Sequence, residues 1–198
     1  MDLSNEGSGW AKTNTDLAVL PTNSTGYGTK ECWQQRYAQE PDCCFGWFKT
    51  YMNLEPLPSK HIATKAAQIL MLGCGNSTLS GDMYIAGHQN FVNADFSNAA
   101  IERMLMDMRS MPLADGLIDL AIDKAILDAL MRDEGDLWVP VAGLCENVGR
   151  EVNEVEWVLA PGGKLTCISF GQPPLHRRHL ECDSWDIEIE SLNNSGFD

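Results

Sequence analysis

An α/β fold with a mostly parallel sheet is predicted by three features of this sequence. Short apolar runs alternate with helical stripes, the first run ends in a glycine turn, and the second ends in an acid. The runs are Ile69–Leu72, Phe91–Ala94, Leu117–Ile122 and Lys164–Phe170. Strands that alternate with helices and are apolar along their whole length lie in a sheet covered on both faces.

Each element has its own local signal. Residues 1–25 are polar and aperiodic and are read as a disordered leader before a single domain over 26–198. Lys30–Tyr37 suits a short helix with Trp33 and Tyr37 on one face at i, i+4. A turn at Pro41-Asp42 leads into the aromatic run Phe45–Tyr51, and Pro56 and Pro58 are expected to break the chain before the first strand. After that strand a helix runs from a cap at Asn76 or Ser77 to about Ala86, with Leu79 and Met83 inward and Gly87 as its stop. A turn at Pro112 to Gly116 precedes the strand Leu117–Ile122. A helix from about Asn147 to Leu159 carries Val148, Val152, Val155 and Leu159 as its inward stripe. Pro161-Gly162-Gly163 ends it before the strand Lys164–Phe170. The tetrad His176-Arg177-Arg178-His179 reads as a solvated loop or as a basic contact at the ligand-facing edge.

The first strand, its turn and the second strand carry the chemistry. Asp95 stands 20 residues past Gly75. That layout is a nucleoside-binding βαβ unit, in which glycines let the backbone approach the ligand and a carboxylate receives ribose hydroxyls. A dinucleotide fingerprint needs a third glycine where this chain has Thr78. S-adenosylmethionine carries no phosphate and needs only the two glycines and the acid. The reading therefore moves from a nicotinamide dehydrogenase to a methyltransferase; an ordinary tight turn with Asp95 as a strand cap is the bland alternative.

Composition narrows the class. The chain has 198 residues, enough for one core, and no apolar stretch of about 18 residues to span a membrane. No secretory signal is visible at the N-terminus, and the seven cysteines include no CxxC pair or zinc spacing, so reduced thiols and a cytoplasmic setting are expected, with no metal. A net charge of −14 argues against nucleic acid as a partner. It suits a basic protein partner, and equally mere solubility.

The stretches Tyr27–Tyr37, Ile69–Ser80, Asn93–Ser97 and Ile122–Leu130, the last containing Asp-Lys-x-x-Leu-Asp-Ala-Leu, resemble the class I methyltransferase-like family. Within it they are similar to the eukaryotic elongation factor 1-alpha lysine methyltransferases and their fungal relatives. The resemblance runs from about Tyr27 to Leu180 and implies a Rossmann-like sheet, S-adenosyl-L-methionine as cofactor and a protein substrate, with elongation factor 1-alpha as the expected one. It implies that Gly73 and Gly75 line the methionine and ribose end of the cofactor, that Asp95 takes the ribose hydroxyls, and that Phe96 lies beside the adenine. Asp107 and Met108 would read the adenine ring, and Lys124 would border the cofactor through its backbone. Trp33, Tyr37 and Trp47, within an aromatic lid over 27–51, would fold over it; plain core packing accounts for these aromatics as well. Asp123 or Asp128 would orient the incoming amine, with Asp128 the choice; either also fits as a strand-end or helix-surface acid.

Two departures from the family pattern bear on activity. Asp107 stands only twelve positions past Asp95, too few for a crossover helix and a full third strand. That strand is expected to be missing or cut to a few residues near Leu105–Met108, leaving Met104 and Met106 exposed. The segment Ser184–Leu192 alternates like a single strand where relatives close the sheet with a two-stranded hairpin. A degenerate relative that binds without turnover is the alternative function.

Overall fold

A computed structural model describes residues 24–39, 48–62, 64–98, 100, 106–131 and 142–192. The expected leader lies almost wholly outside them, as do Trp47 and residues 101–105. In chain order, a 3-10 turn at Ser24–Gly28 leads to α1 (Lys30–Gln39), α2 (Tyr51–Leu54), α3 (Pro56–His61), β1 (Gln68–Leu72), α4 (Leu79–Ile85) and β2 (Asn90–Asn93). Then come β3 (Ile118–Lys124), α5 (Ile126–Leu130), α6 (Ala142–Val158), β4 (Leu159–Ile168) and α7 (Pro173–Leu180). No helix among the described residues is long and apolar enough to cross a membrane.

The four strands are all parallel, in the order β2-β1-β3-β4, with Leu70 paired to Val92 on one side and Ala121 on the other. Side chains alternate along a strand, so Ile69 and Met71 face one core and Leu70 and Leu72 the other. The first core adds Leu54, Leu79, Met83, Leu120 and Ile122; the second adds Met106, Met108, Ala121, Val155 and Val158. Both faces are covered, as a parallel sheet requires. The chain leaves β1 toward β2 on one side, then returns to place β3 on the other. At that reversal the carboxyl ends of β1 and β3 part and open a crevice, the usual ligand position in open α/β sheets.

Several elements differ from the sequence reading. Pro56 opens α3 instead of breaking the chain, because a proline in the first helical position lacks only an N–H that the helix would leave unpaired. Thr78, not Asn76 or Ser77, stands at the cap of α4, while Leu79 and Met83 face inward and Gly87 ends the helix at φ +100° as expected. Helix α6 begins at Ala142, so Leu144 joins the stripe of Val148, Val152 and Val155. Leu159 leaves that stripe and pairs with Ile118, while Leu120 pairs with Lys164. Pro161-Gly162-Gly163 is thereby carried as a bulge inside β4. Gly163 is needed there, since a Cβ would come within 2.8 Å of the Ala160 and Ile118 carbonyl oxygens.

No strand among the described residues lies between β2 and β3, in line with the shortened third-strand region. The Met106 N–H donates to the Asp95 carbonyl at 3.0 Å, a single bridge. Met106 is not exposed: with Met108 and Met111 it is buried in the core beside α6. The coil can fold inward because Glu154 accepts the Met111 N–H at 2.7 Å and Asn147 accepts from Arg109 at 2.8 Å. The expected strand Ser184–Leu192 is absent too. Its alternation reflects side-chain anchors: Trp185 donates to the Leu180 carbonyl at 2.8 Å, Ser184 to Glu156, and Lys60 pairs with Glu188 and Glu190. The basic tetrad lies on α7 rather than in a loop, with His176 buried.

Candidate functional site

Where β1 ends, Gly73 and Gly75 adopt φ of +52° and +51°, a region that costs an L side chain about 1–2 kcal/mol. Space is as restrictive as torsion. A Cβ on Gly73 would run into the Ile126 side chain, and one on Gly75 into the Tyr37 hydroxyl. The turn is therefore pressed between α5 on one side and α1 on the other.

Asp95 follows β2 and is buried. One carboxylate oxygen accepts the Gly75 N–H at 2.9 Å and the other the Ser97 N–H at 2.8 Å; the Phe96 N–H also contributes. Burial pushes the carboxyl above its ordinary value, and these three backbone donors pull it back only in part. A carboxylate offers about four lone-pair sites, so an acceptor position remains for a hydroxyl. Burial, with Asp95 nearby, lifts the adjacent Cys74 thiol to about 12, so it stays protonated.

Helix α1 lies over this turn. Trp33 donates to the Tyr27 carbonyl at 2.6 Å and its ring is 5.7 Å from that of Tyr37. Burial, then Asp95, raises the Tyr37 phenol. Neither aromatic belongs to the main core clusters. The opposite wall is the end of β3 and the start of α5. There the Asp123 carboxylate caps α5, accepting the Ile126 and Leu127 N–H groups at 2.7 and 3.1 Å, and burial moves it up to about 6. Next to it, burial brings Lys124 down to about 8, with Asp123 opposing. Ala125 holds φ +78°, a strain of order 1–3 kcal/mol of the kind that collects at functional sites. The cleft between these walls encloses about 610 Å³ of non-atom space, part of it open solvent.

Seven of the residues singled out from the sequence line this cleft: Trp33, Tyr37, Gly73, Gly75, Asp95, Phe96 and Lys124. Three others lie elsewhere. Asp107 pairs with Arg109 at 2.7 Å, and that hydrogen bonding holds it below the usual carboxylate range. Met108 is a core side chain behind Gly73. Asp128 faces the loop after β4 and binds Ser169, Phe170 and Gly171 there. The sequence reading missed Ala125, Ile126 and Ala129 as cleft residues. Only their place just past a strand end marked them.

No family model matches the chain. It is 29% identical over 196 residues to the eEF1A lysine and N-terminal methyltransferase of Mus musculus, which covers 90% of this chain and 27% of that protein. The chain thus spans about a quarter of the length of that relative. It is also 29% identical over 180 residues to the EEF1A lysine methyltransferase 4 of Bos taurus, covering 84% of this chain and 70% of the relative. The crystal structure of the [4+2]-cyclase SpnF matches with a TM-score of 0.50 at 15% identity, over 80% of this chain and 71% of that one, a likeness of fold alone. By sequence the chain is similar over most of its length to proteins named as eEF1A lysine methyltransferases, and by fold it is an α/β protein with a parallel, Rossmann-like sheet.

Proposed function

We propose that the protein is an S-adenosylmethionine-dependent methyltransferase acting on a lysine of another protein, with eEF1A as the substrate the names of its relatives point to. The observation that carries the reading is the Asp95 carboxylate bonded to Gly75 at the reversal of strand order. The residues present fit this cofactor. The glycine turn is a close backbone cradle, Asp95 keeps an acceptor for a ribose hydroxyl, and Trp33 and Tyr37 line the same cleft, where a sulfonium would gain cation–π attraction.

The cofactor supplies a methyl carbon already activated by its sulfonium. What the chain adds is position and dryness. Asp95 would hold the ribose, Phe96 would border the base, and Trp33 and Tyr37 would exclude water over the glycine turn. A lysine nucleophile must enter as the neutral amine. The same burial that lowers Lys124 to about 8 favours the neutral form of an incoming amine.

A second reading, a degenerate relative with little or no activity, is favoured by one observation: Asp107, expected to receive the adenine amino group, does not line the cleft and is paired with Arg109 instead. Isothermal titration with S-adenosylhomocysteine and NAD tests the first reading. S-adenosylhomocysteine is expected to bind and NAD to bind more weakly; the reverse order moves the protein to the dehydrogenases. A labelled methyl donor incubated with eEF1A separates turnover from binding alone.

A further inference from the structure

Beyond β4 the chain makes a short loop before α7, and an unusual amount of bonding holds it. The Asp128 carboxylate on α5 accepts the Ser169 hydroxyl at 3.1 Å, the Gly171 N–H at 3.0 Å and the Phe170 N–H at 3.3 Å. The Ser169 oxygen lies 2.7 Å from Nδ1 of the buried His176, and the Gly171 N–H also donates to it at 2.9 Å. Gly171 must lack a Cβ, because His176 fills its place. Three elements thus fix the backbone of Phe170, whose side chain is 70% exposed.

A single exposed aromatic needs no explanation. This one is met by a second fixed residue. The Phe170 ring stacks on Phe48 at 6.3 Å and 23° between planes, and Phe48 holds a left-handed φ of +66°, strained for a bulky residue. Neither lines the cleft itself, but each is linked to a residue that does. Phe48 packs on the cluster that contains Leu79, a cleft residue. Phe170 comes two residues after Ile168, the strand partner of Lys124, another cleft residue.

We infer that Phe170, with Phe48 behind it, is the surface against which the aliphatic stem of the substrate lysine lies as its amine enters the cleft. The inference rests on the protein-lysine reading above and names a specificity determinant for it. An aromatic face suits both parts of a lysine, its methylenes by apolar contact and its ammonium before deprotonation by the ring quadrupole. The net charge of −14 draws a basic segment to the protein. Asp128, Ser169 and His176 are positioning residues that hold the loop.

The test titrates purified eEF1A into the full chain saturated with S-adenosylhomocysteine, for wild type, Phe170→Ala and Phe170→Tyr. Phe170→Ala is expected to weaken eEF1A about tenfold, with S-adenosylhomocysteine affinity and circular dichroism unchanged; Phe170→Tyr, which keeps the ring, stays close to wild type. Asp128→Asn, which weakens the hold on the loop, is expected to lose eEF1A affinity while keeping that for S-adenosylhomocysteine. Equal eEF1A affinity in wild type and Phe170→Ala overturns the inference, as does a wild type that binds S-adenosylhomocysteine but not eEF1A. A wild type that fails to bind S-adenosylhomocysteine overturns the reading on which it rests.

Discussion

Asp95 gives its carboxylate two tasks: it ties the end of β2 to the glycine turn, and it faces the cleft. Asp95→Ala removes a charged acceptor worth about 1.5–3 kcal/mol, so S-adenosylhomocysteine affinity is expected to fall roughly ten- to a hundredfold by calorimetry. Equal affinities would remove Asp95 from the site. Its pH dependence has a definite sign. Burial raises its folded pKa, so the ionised acceptor is lost on acidification earlier than for an ordinary aspartate, and affinity falls with it. Stability moves the other way: the raised group costs the fold at neutral pH, and protonation relieves that cost as pH falls. Thermal shift with and without S-adenosylhomocysteine from pH 7.5 down to 5, taken as the difference between wild type and Asp95→Asn, separates the two and cancels the other groups that titrate in that range. At this scale the glycines and Asp95 were legible because their spacing is local to one βαβ unit. Ile126 was not, since it reaches Gly73 from another strand's end and its sequence context says nothing of that contact.

Helix α1 brings the aromatics together as one element. Trp33 and Tyr37 are buried against each other and the glycine turn, outside the main core clusters. The double substitution Trp33→Ala, Tyr37→Ala is therefore expected to keep the circular dichroism of the sheet while weakening S-adenosylmethionine about fivefold or more, since two aromatic contacts of about 0.5–2 kcal/mol each amount to at least about 1 kcal/mol. Loss of the sheet signal would make α1 a core helix instead. The strands β1, β2 and β3 and helix α4 were readable from apolar runs and a glycine stop. Where two signals competed, the reading slipped. Pro56 breaks a helix interior but starts α3, and the Pro161-Gly162-Gly163 stop is absorbed by a bulge because Leu159 already pairs with Ile118. Alternation over Ser184–Leu192 mimics a strand, although Lys60 and Glu156 fix the segment by its side chains.

Across the whole molecule, the balance of charge sets a further expectation. Glu151 of α6 is buried, and burial, then the carboxylates of Asp123 and Asp107, push it well above its ordinary value, with only Arg109 opposing. In a chain of net charge −14, ionising it works against both desolvation and repulsion. A carboxyl raised in the fold binds its proton at higher pH than in the unfolded chain, so its contribution to stability declines as pH rises from its unfolded value through its folded one. The wild-type profile does not isolate this effect. His61, His88, His176 and His179 are all lowered, mainly by burial, and they destabilise the fold as pH falls below their unfolded value. The difference between wild type and Glu151→Gln cancels the histidines and leaves Glu151. Glutamine keeps the size and polarity without the ionisation. The melting temperature of Glu151→Gln is expected to exceed that of wild type at pH 8, by about 2–4 °C for each kcal/mol in a chain of this length, with the gap closing toward pH 5. A gap independent of pH would mean that Glu151 acts by packing and hydrogen bonding rather than by its charge.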